Sequence, residues 1–126
     1  MLVRDVMKRD VVSAAPEISL EEAAVIMTDN HVGCIVIKKN ERVVGILTDR
    51  DVLLKVAEGG TEFEVVTAGA IMTRFVIYIN PDANLEKAVK MMKENKIKKL
   101  PVLENEKLVG IITTTDIALA APGLLH

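Results

Sequence analysis

Tryptophan is absent from the 126 residues, and the aromatic side chains amount to Tyr78, Phe63 and Phe75. The platforms on which single-stranded bases stack are therefore nearly missing. No excess of positive charge compensates, because 16 Lys and Arg face 18 Asp and Glu for a formal charge of −2. Neither nucleic acid nor an anionic membrane is expected as a partner. Cys34 is the only cysteine, which excludes an intrachain disulfide. With only His31 and His126 beside it, a Cys/His zinc site would have to be assembled between chains, so no metal site is expected. The opening MLVRDVMKRD has scattered charges where a signal peptide has an apolar run, and no apolar stretch approaches bilayer length. A cytoplasmic protein is the simplest expectation. What the chain has is hydrophobic bulk, 50% of its residues, enough for a soluble globule to bury a core without disulfides. Its length admits one domain or two small linked halves.

The halves are copies. Setting Pro16 against Pro81 gives one offset, 65 positions, that aligns residues 6–53 with 71–118 without a gap. Met7 then meets Met72, Leu20-Glu21 meets Leu85-Glu86, Val44-Gly45-Ile46 meets Val109-Gly110-Ile111, Thr48 meets Thr113 and Asp51 meets Asp116. A solenoid needs at least three stacked units, so a pair packed face to face about a pseudo-twofold axis is the economical arrangement. The repeats read as 1–60 and 71–126, joined by a linker at 61–70.

Each copy predicts the same order of elements. An opening turn holds Val6-Met7 or Ile71-Met72, and an extended stretch (11–14; 76–79) stops at Pro16 or Pro81, which cannot donate to a ladder. A helix follows, started by a Ser19/Glu22 capping box or by Asn84 as N-cap. Leu20, Ala23, Ala24 and Met27, like Leu85, Ala88, Val89 and Met92, recur at i, i+3, i+4 and i+7 and give each helix one apolar stripe. Two β-branched runs per copy (34–37 with 43–47; 100–103 with 108–112) supply a hairpin, turning at Asn40-Glu41 or Asn105-Glu106. A second helix begins after Thr48 or Thr113. The first stops at Gly59-Gly60, the second at Pro122-Gly123, and Thr67 is placed to cap a short helix through Met72. His31 reads as a surface residue at a helix end, Cys34 and the internal methionines as core filling, and 119–125 as a frayed end or an oligomer contact.

Chemistry concentrates where strand becomes helix, in Gly45-Ile46-Leu47-Thr48-Asp49-Arg50-Asp51 and its copy Gly110-Ile111-Ile112-Thr113-Thr114-Thr115-Asp116. A glycine allows close backbone approach, a helix N-terminus favours a phosphate, and a threonine hydroxyl can bond to it. The carboxylate three residues on can accept from both hydroxyls of a ribose. The same residues also make helix caps, Thr48 and Thr113 as N-caps with Asp51 and Asp116 at N3. Both readings stand, since a capping aspartate does not spend every lone pair.

This order, with Gly-hydrophobic-hydrophobic-Thr-x-x-Asp opening a helix twice, resembles a tandem pair of CBS domains, the repeat named after cystathionine beta-synthase and often called a Bateman module. The resemblance runs from about Val3 to Ala120. It implies an α+β fold of two β-α-β-β-α units and a regulatory, non-catalytic role. The implied ligands are adenosine compounds such as AMP, ADP, ATP or S-adenosylmethionine, bound in clefts between the repeats as regulators, with no obligatory cofactor. Carried over by position, Asp51 and Asp116 hold the ribose, and Thr48 and Thr113 face the phosphate. By the family's pattern Phe75-Val76 and Ile97-Lys98 complete the Thr48/Asp51 cleft, while Asp10-Val11 and Val32-Gly33 complete the Thr113/Asp116 cleft. Arg50, Lys98 and Arg74 would then gather at the first cleft, and Arg9 with few other cations at the second, making the first the tighter phosphate site. The resemblance also implies a homodimer and an unidentified regulated protein. An alternative is a ligand-free dimerisation or interaction scaffold for an enzyme or transporter. No nucleophile with its base, metal cluster or phosphate loop with its lysine is present in the sequence, so no catalytic residue is expected.

Overall fold

Each β-hairpin turns through two residues held at positive φ, Asn40 (52°) and Glu41 (65°) in one, Asn105 (52°) and Glu106 (68°) in the other. Two consecutive left-handed residues make the type I′ turn whose twist suits antiparallel strands. It joins β2 (Cys34–Lys39) to β3 (Arg42–Thr48) and β4 (Lys99–Glu104) to β5 (Lys107–Thr113). The computed structural model describes residues 1–59, 62–74 and 76–125. Gly60 of the glycine stop, Thr61 at the head of the linker, the candidate ligand contact Phe75, and His126 lie outside the described residues.

Along the chain these hairpins follow α1 (Val3–Val6), β1 (Ser13–Ala14) and α2 (Leu20–Asn30) in the first half, and α4 (Ala68–Ile71) and α5 (Leu85–Asn95) in the second. Each hairpin leads into a helix, α3 (Asp49–Ala57) or α6 (Thr114–Ala120), and the chain ends in a 3-10 turn, Pro122–Leu125. The fold is α+β. Ser19 Oγ accepts from the Glu22 amide while Glu22 returns a bond to the Ser19 amide, and Asn84 Oδ1 accepts from the Lys87 amide, so α2 and α5 start where their caps predict. Thr67 occupies the N-cap position of α4 without a side-chain capping bond. The extended stretch 11–14 condenses to β1, parallel to β2, and 76–79 to a single parallel bridge between Ile79 and Val102.

The compact units do not coincide with the sequence repeats. One unit is residues 12–76, and the other combines 1–11 with 77–126. The reason is burial. Val3 and Met7 lie in a core with Leu85, Ala88, Met92, Leu100, Val102, Ile112 and Ile117. Backbone bonds fasten them there, from the Val3 amide to the Ala83 carbonyl at 2.8 Å and from the Arg4 amide to the Pro81 carbonyl at 2.9 Å. Arg4 Nε also donates to Asp82 at 2.8 Å, and this ion pair raises the guanidinium pKa above its usual value. In the 12–76 unit, Leu20, Ala23, Met27, Ile35, Ile37 and Leu47 share a core with Ala68 and Met72. The stretch expected as a linker is thus integral from residue 62 on, with the Leu20 amide bonded to the Val66 carbonyl and the Ala68 amide to the Ile18 carbonyl.

The chain's end is docked as well: Ala121, Leu124 and Leu125 pack on the core of the 1–11/77–126 unit. Cys34 and four internal methionines, Met7, Met27, Met72 and Met92, are buried, and His31 is an exposed left-handed C-cap of α2. No helix among the described residues is long and apolar enough to cross a membrane.

Candidate functional site

Both strand-to-helix junctions close a reciprocal capping box. At the first, Thr48 Oγ1 accepts from the Asp51 amide (3.1 Å) and Asp51 Oδ2 accepts from the Thr48 amide (2.9 Å). At the second, Thr113 Oγ1 accepts from the Asp116 amide (3.1 Å) and Asp116 Oδ2 from the Thr113 amide (2.9 Å), with the Thr113 hydroxyl 3.0 Å from the same oxygen. The capping reading is therefore correct, and it uses Oδ2 of each aspartate. Oδ1 lies outside the box. Asp51 is half-buried, and Asp116 is the one buried charged residue among the described residues.

The hairpin register decides which residues stand beside each junction. Cys34 pairs with Thr48 and Lys99 with Thr113, so the residue entering β2 or β4 abuts the residue leaving β3 or β5. The Asp49 amide accordingly donates to the Gly33 carbonyl at 2.9 Å, and the Thr114 amide to the Lys98 carbonyl at 3.0 Å. Within its own hairpin the fold brings Val32-Gly33 to Thr48 and Asp51, and Ile97-Lys98 to Thr113 and Asp116. Asp10-Val11 share a unit with Thr113 and Asp116, and Val76 with Thr48 and Asp51.

Arg50 follows Asp49 at the start of α3 and is exposed. Arg74 sends Nη2 to the Gly69 carbonyl at 3.0 Å, which commits it to the backbone of its own segment. Lys98 stands at the Thr113–Asp116 junction. So does Lys8, whose Nζ lies 3.6 Å from Asp116 Oδ1. The sequence reading passed over Lys8. The signal was available, since the repeat sets Lys8 against Thr73, next to the matched Met7 and Met72. Register ties the strand-entry residues Lys98 and Lys99 to their own hairpin.

The junction glycines have a further role. A Cβ on Gly110 would lie 2.8 Å from the Lys8 carbonyl, and one on Gly45 would lie 2.9 Å from the Thr73 carbonyl. The absence of a side chain lets these segments pair with β5 and β3, Lys8 with Ile111 and Thr73 with Ile46. Among the described residues no group of three or more His, Cys, Asp and Glu side chains could hold a metal ion.

The CBS domain family profile matches residues 3–58 and 68–123. Protein MK0525 of Methanopyrus kandleri is 35% identical over 125 residues, covering 98% of this chain, which spans just under two thirds (64%) of that protein. Hypoxic response protein 1 of Mycobacterium tuberculosis is 31% identical over 120 residues, 94% of this chain and 84% of that one. Among solved structures, the CBS domain pair of protein MJ0100, crystallised with 5′-methylthioadenosine and S-adenosyl-L-methionine, superposes with a TM-score of 0.88 at 29% identity, over 98% of this chain and 97% of that one. Two profile matches, one to each sequence repeat, and the α+β fold with its Thr-x-x-Asp junctions lead to the same assignment: this chain belongs to the CBS domain family and carries two CBS domains in tandem.

Proposed function

We propose that the chain is a non-catalytic regulatory module that binds adenosine-containing ligands, AMP, ADP, ATP or S-adenosylmethionine, and reports occupancy to a partner protein. The ligand is a regulator rather than a resident cofactor. The observation that carries this reading is the pair of aspartates, each fixed by its own capping box through Oδ2 with Oδ1 outside the box. A carboxylate fixed this way need not reorganise to accept from a ribose. Thr48 with Val32-Gly33 and Val76, and Thr113 with Ile97-Lys98 and Asp10-Val11, are the proposed surroundings of the two nucleosides; Phe75 completes the assignment from sequence. The MJ0100 pair, crystallised with two adenosine compounds, supports the ligand class. Ligand preference for one arrangement of the protein over another turns binding into a signal.

Thermal denaturation with AMP, ADP, ATP, S-adenosylmethionine and 5′-methylthioadenosine tests this. A ligand present at a hundred times its dissociation constant adds about 2.7 kcal/mol, a rise of roughly 10 °C for a chain of this length. A flat response to all five would end the proposal.

A second reading, self-association, is favoured by α3, which exposes Leu53, Leu54 and Val56. Beside them Met27, Val32, Val52 and Leu53 line a groove of about 570 Å³ between α2 and α3. Leu53→Lys with Leu54→Lys is expected to convert a dimer to a monomer in sedimentation while leaving ligand shifts in place. Wild-type protein sedimenting as a monomer would remove this reading.

A further inference from the structure

The two junctions share one backbone frame, and among the positions where they differ is the residue paired beside each strand. Lys8 exchanges a pair of backbone hydrogen bonds with Ile111 (2.8 and 2.9 Å), and Thr73 does the same with Ile46 (2.8 and 3.0 Å). The repeat offset superposes Lys8 on Thr73 and Asp116 on Asp51. One junction therefore carries an ammonium where its counterpart carries a hydroxyl. The difference reaches the aspartate: Lys8 Nζ stands 3.6 Å from Asp116 Oδ1 while Oδ2 is held by Thr113. The lysine side chain is 69% exposed and that of Asp116 only 6%. An exposed lysine in a long ion pair is redirected at little cost, whereas the buried carboxylate must keep a partner.

We propose, resting on the adenosine-ligand reading above, that Lys8 determines specificity. It makes the Thr113–Asp116 junction selective for phosphorylated nucleosides and leaves the Thr48–Asp51 junction, with Thr73, open to uncharged ones. A neutral nucleoside reaching Asp116 has to displace the ammonium from Oδ1 and offers it nothing in return. A nucleoside phosphate supplies the ribose hydroxyls to the carboxylate and an anion to the released ammonium, and charge-assisted bonds of that kind are the strong ones. Lys98, exposed beside Thr114, adds to the same preference. At the other junction Thr73 neither competes for Asp51 nor attracts phosphate. The chain thus holds two nucleoside sites of different charge selectivity.

Calorimetric titration of the intact chain with AMP and with adenosine tests this, using an Asp51→Ala background so that the Thr113–Asp116 junction alone is read. The protein with Lys8 intact is expected to prefer AMP, and Lys8→Thr to lower the AMP-to-adenosine affinity ratio about tenfold, by weakening AMP and strengthening adenosine. Lys8→Arg is expected to retain the preference. In an Asp116→Ala background, Thr73→Lys is expected to confer it on the other junction. A ratio unchanged in Lys8→Thr overturns the role of Lys8 while nucleotide binding stands. No binding of either compound to the wild-type chain overturns both readings.

Discussion

Gly110→Val is expected to cost the protein about 3 kcal/mol, the upper part of the range for overpacking a filled site, and to lower its thermal midpoint by about 10 °C. The added Cβ would meet the Lys8 carbonyl at 2.8 Å, and also Met7 Sδ at 2.6 Å and Cγ at 3.1 Å. A methionine thioether can swing away. The Lys8 carbonyl cannot, because it accepts the Ile111 amide at 2.9 Å while the Lys8 amide bonds back to the Ile111 carbonyl at 2.8 Å. Relieving the clash means lifting residues 1–11 off β5, and with them Val3 and Met7 out of the core they share with Leu85 and Ile117. Amide exchange would locate the damage: protection should fall in residues 77–126 and persist in 12–76. Gly45→Val should produce the mirror result, since its Cβ would lie 2.9 Å from the Thr73 carbonyl. Loss spread evenly over both units in either variant would show that the N-terminal segment does not act as part of the 77–126 unit.

That dependence could not be read from the sequence, although most of its ingredients could. The 65-residue offset, the Ser19/Glu22 box, the Asn84 cap and the Asn-Glu turns are local signals, decided by residues within a few positions of each other, and the structure reproduces them. Val6-Met7 and Ile71-Met72 were visible as matched apolar pairs, but nothing within ten residues says which core they enter. A segment that pairs with a strand a hundred positions away, as Lys8 does with Ile111, is selected by tertiary fit, which periodicity does not encode. The same gap hid the Lys8–Asp116 ion pair and the backbone bond that sets Lys98 beside Thr114. Both follow from strand pairing rather than composition. Residues 119–125 read equally as a frayed end or an oligomer contact, because an apolar tail is ambiguous until the core that Leu124 and Leu125 pack on is known.

Asp51→Ala and Asp116→Ala are each expected to weaken binding of a ribonucleoside ligand at their own junction by about a hundredfold. Two hydrogen bonds to a charged acceptor, worth about 1.5–3 kcal/mol each, are lost together. The difficulty is that the aspartates also cap. Removing Asp116 ends its bond to the Thr113 amide and withdraws a negative charge from the start of α6, at a cost of about 1 kcal/mol whether or not a ligand is present. Weaker binding alone would then fit a merely structural role. A ligand that cannot make the sugar contact separates the two. With 2′,3′-dideoxy-AMP in place of AMP, the hydroxyl contacts are already missing, so a clasping aspartate loses nothing further on mutation, while a cap that shapes the junction penalises both ligands equally. The double-mutant cycle formed by the two ligands and the two proteins isolates the coupling. A coupling of about 3 kcal/mol would assign the carboxylate to the ribose. Equal losses for AMP and its dideoxy form would reduce Thr48–Asp51 and Thr113–Asp116 to helix caps, and the proposed function would lose the contact on which it rests.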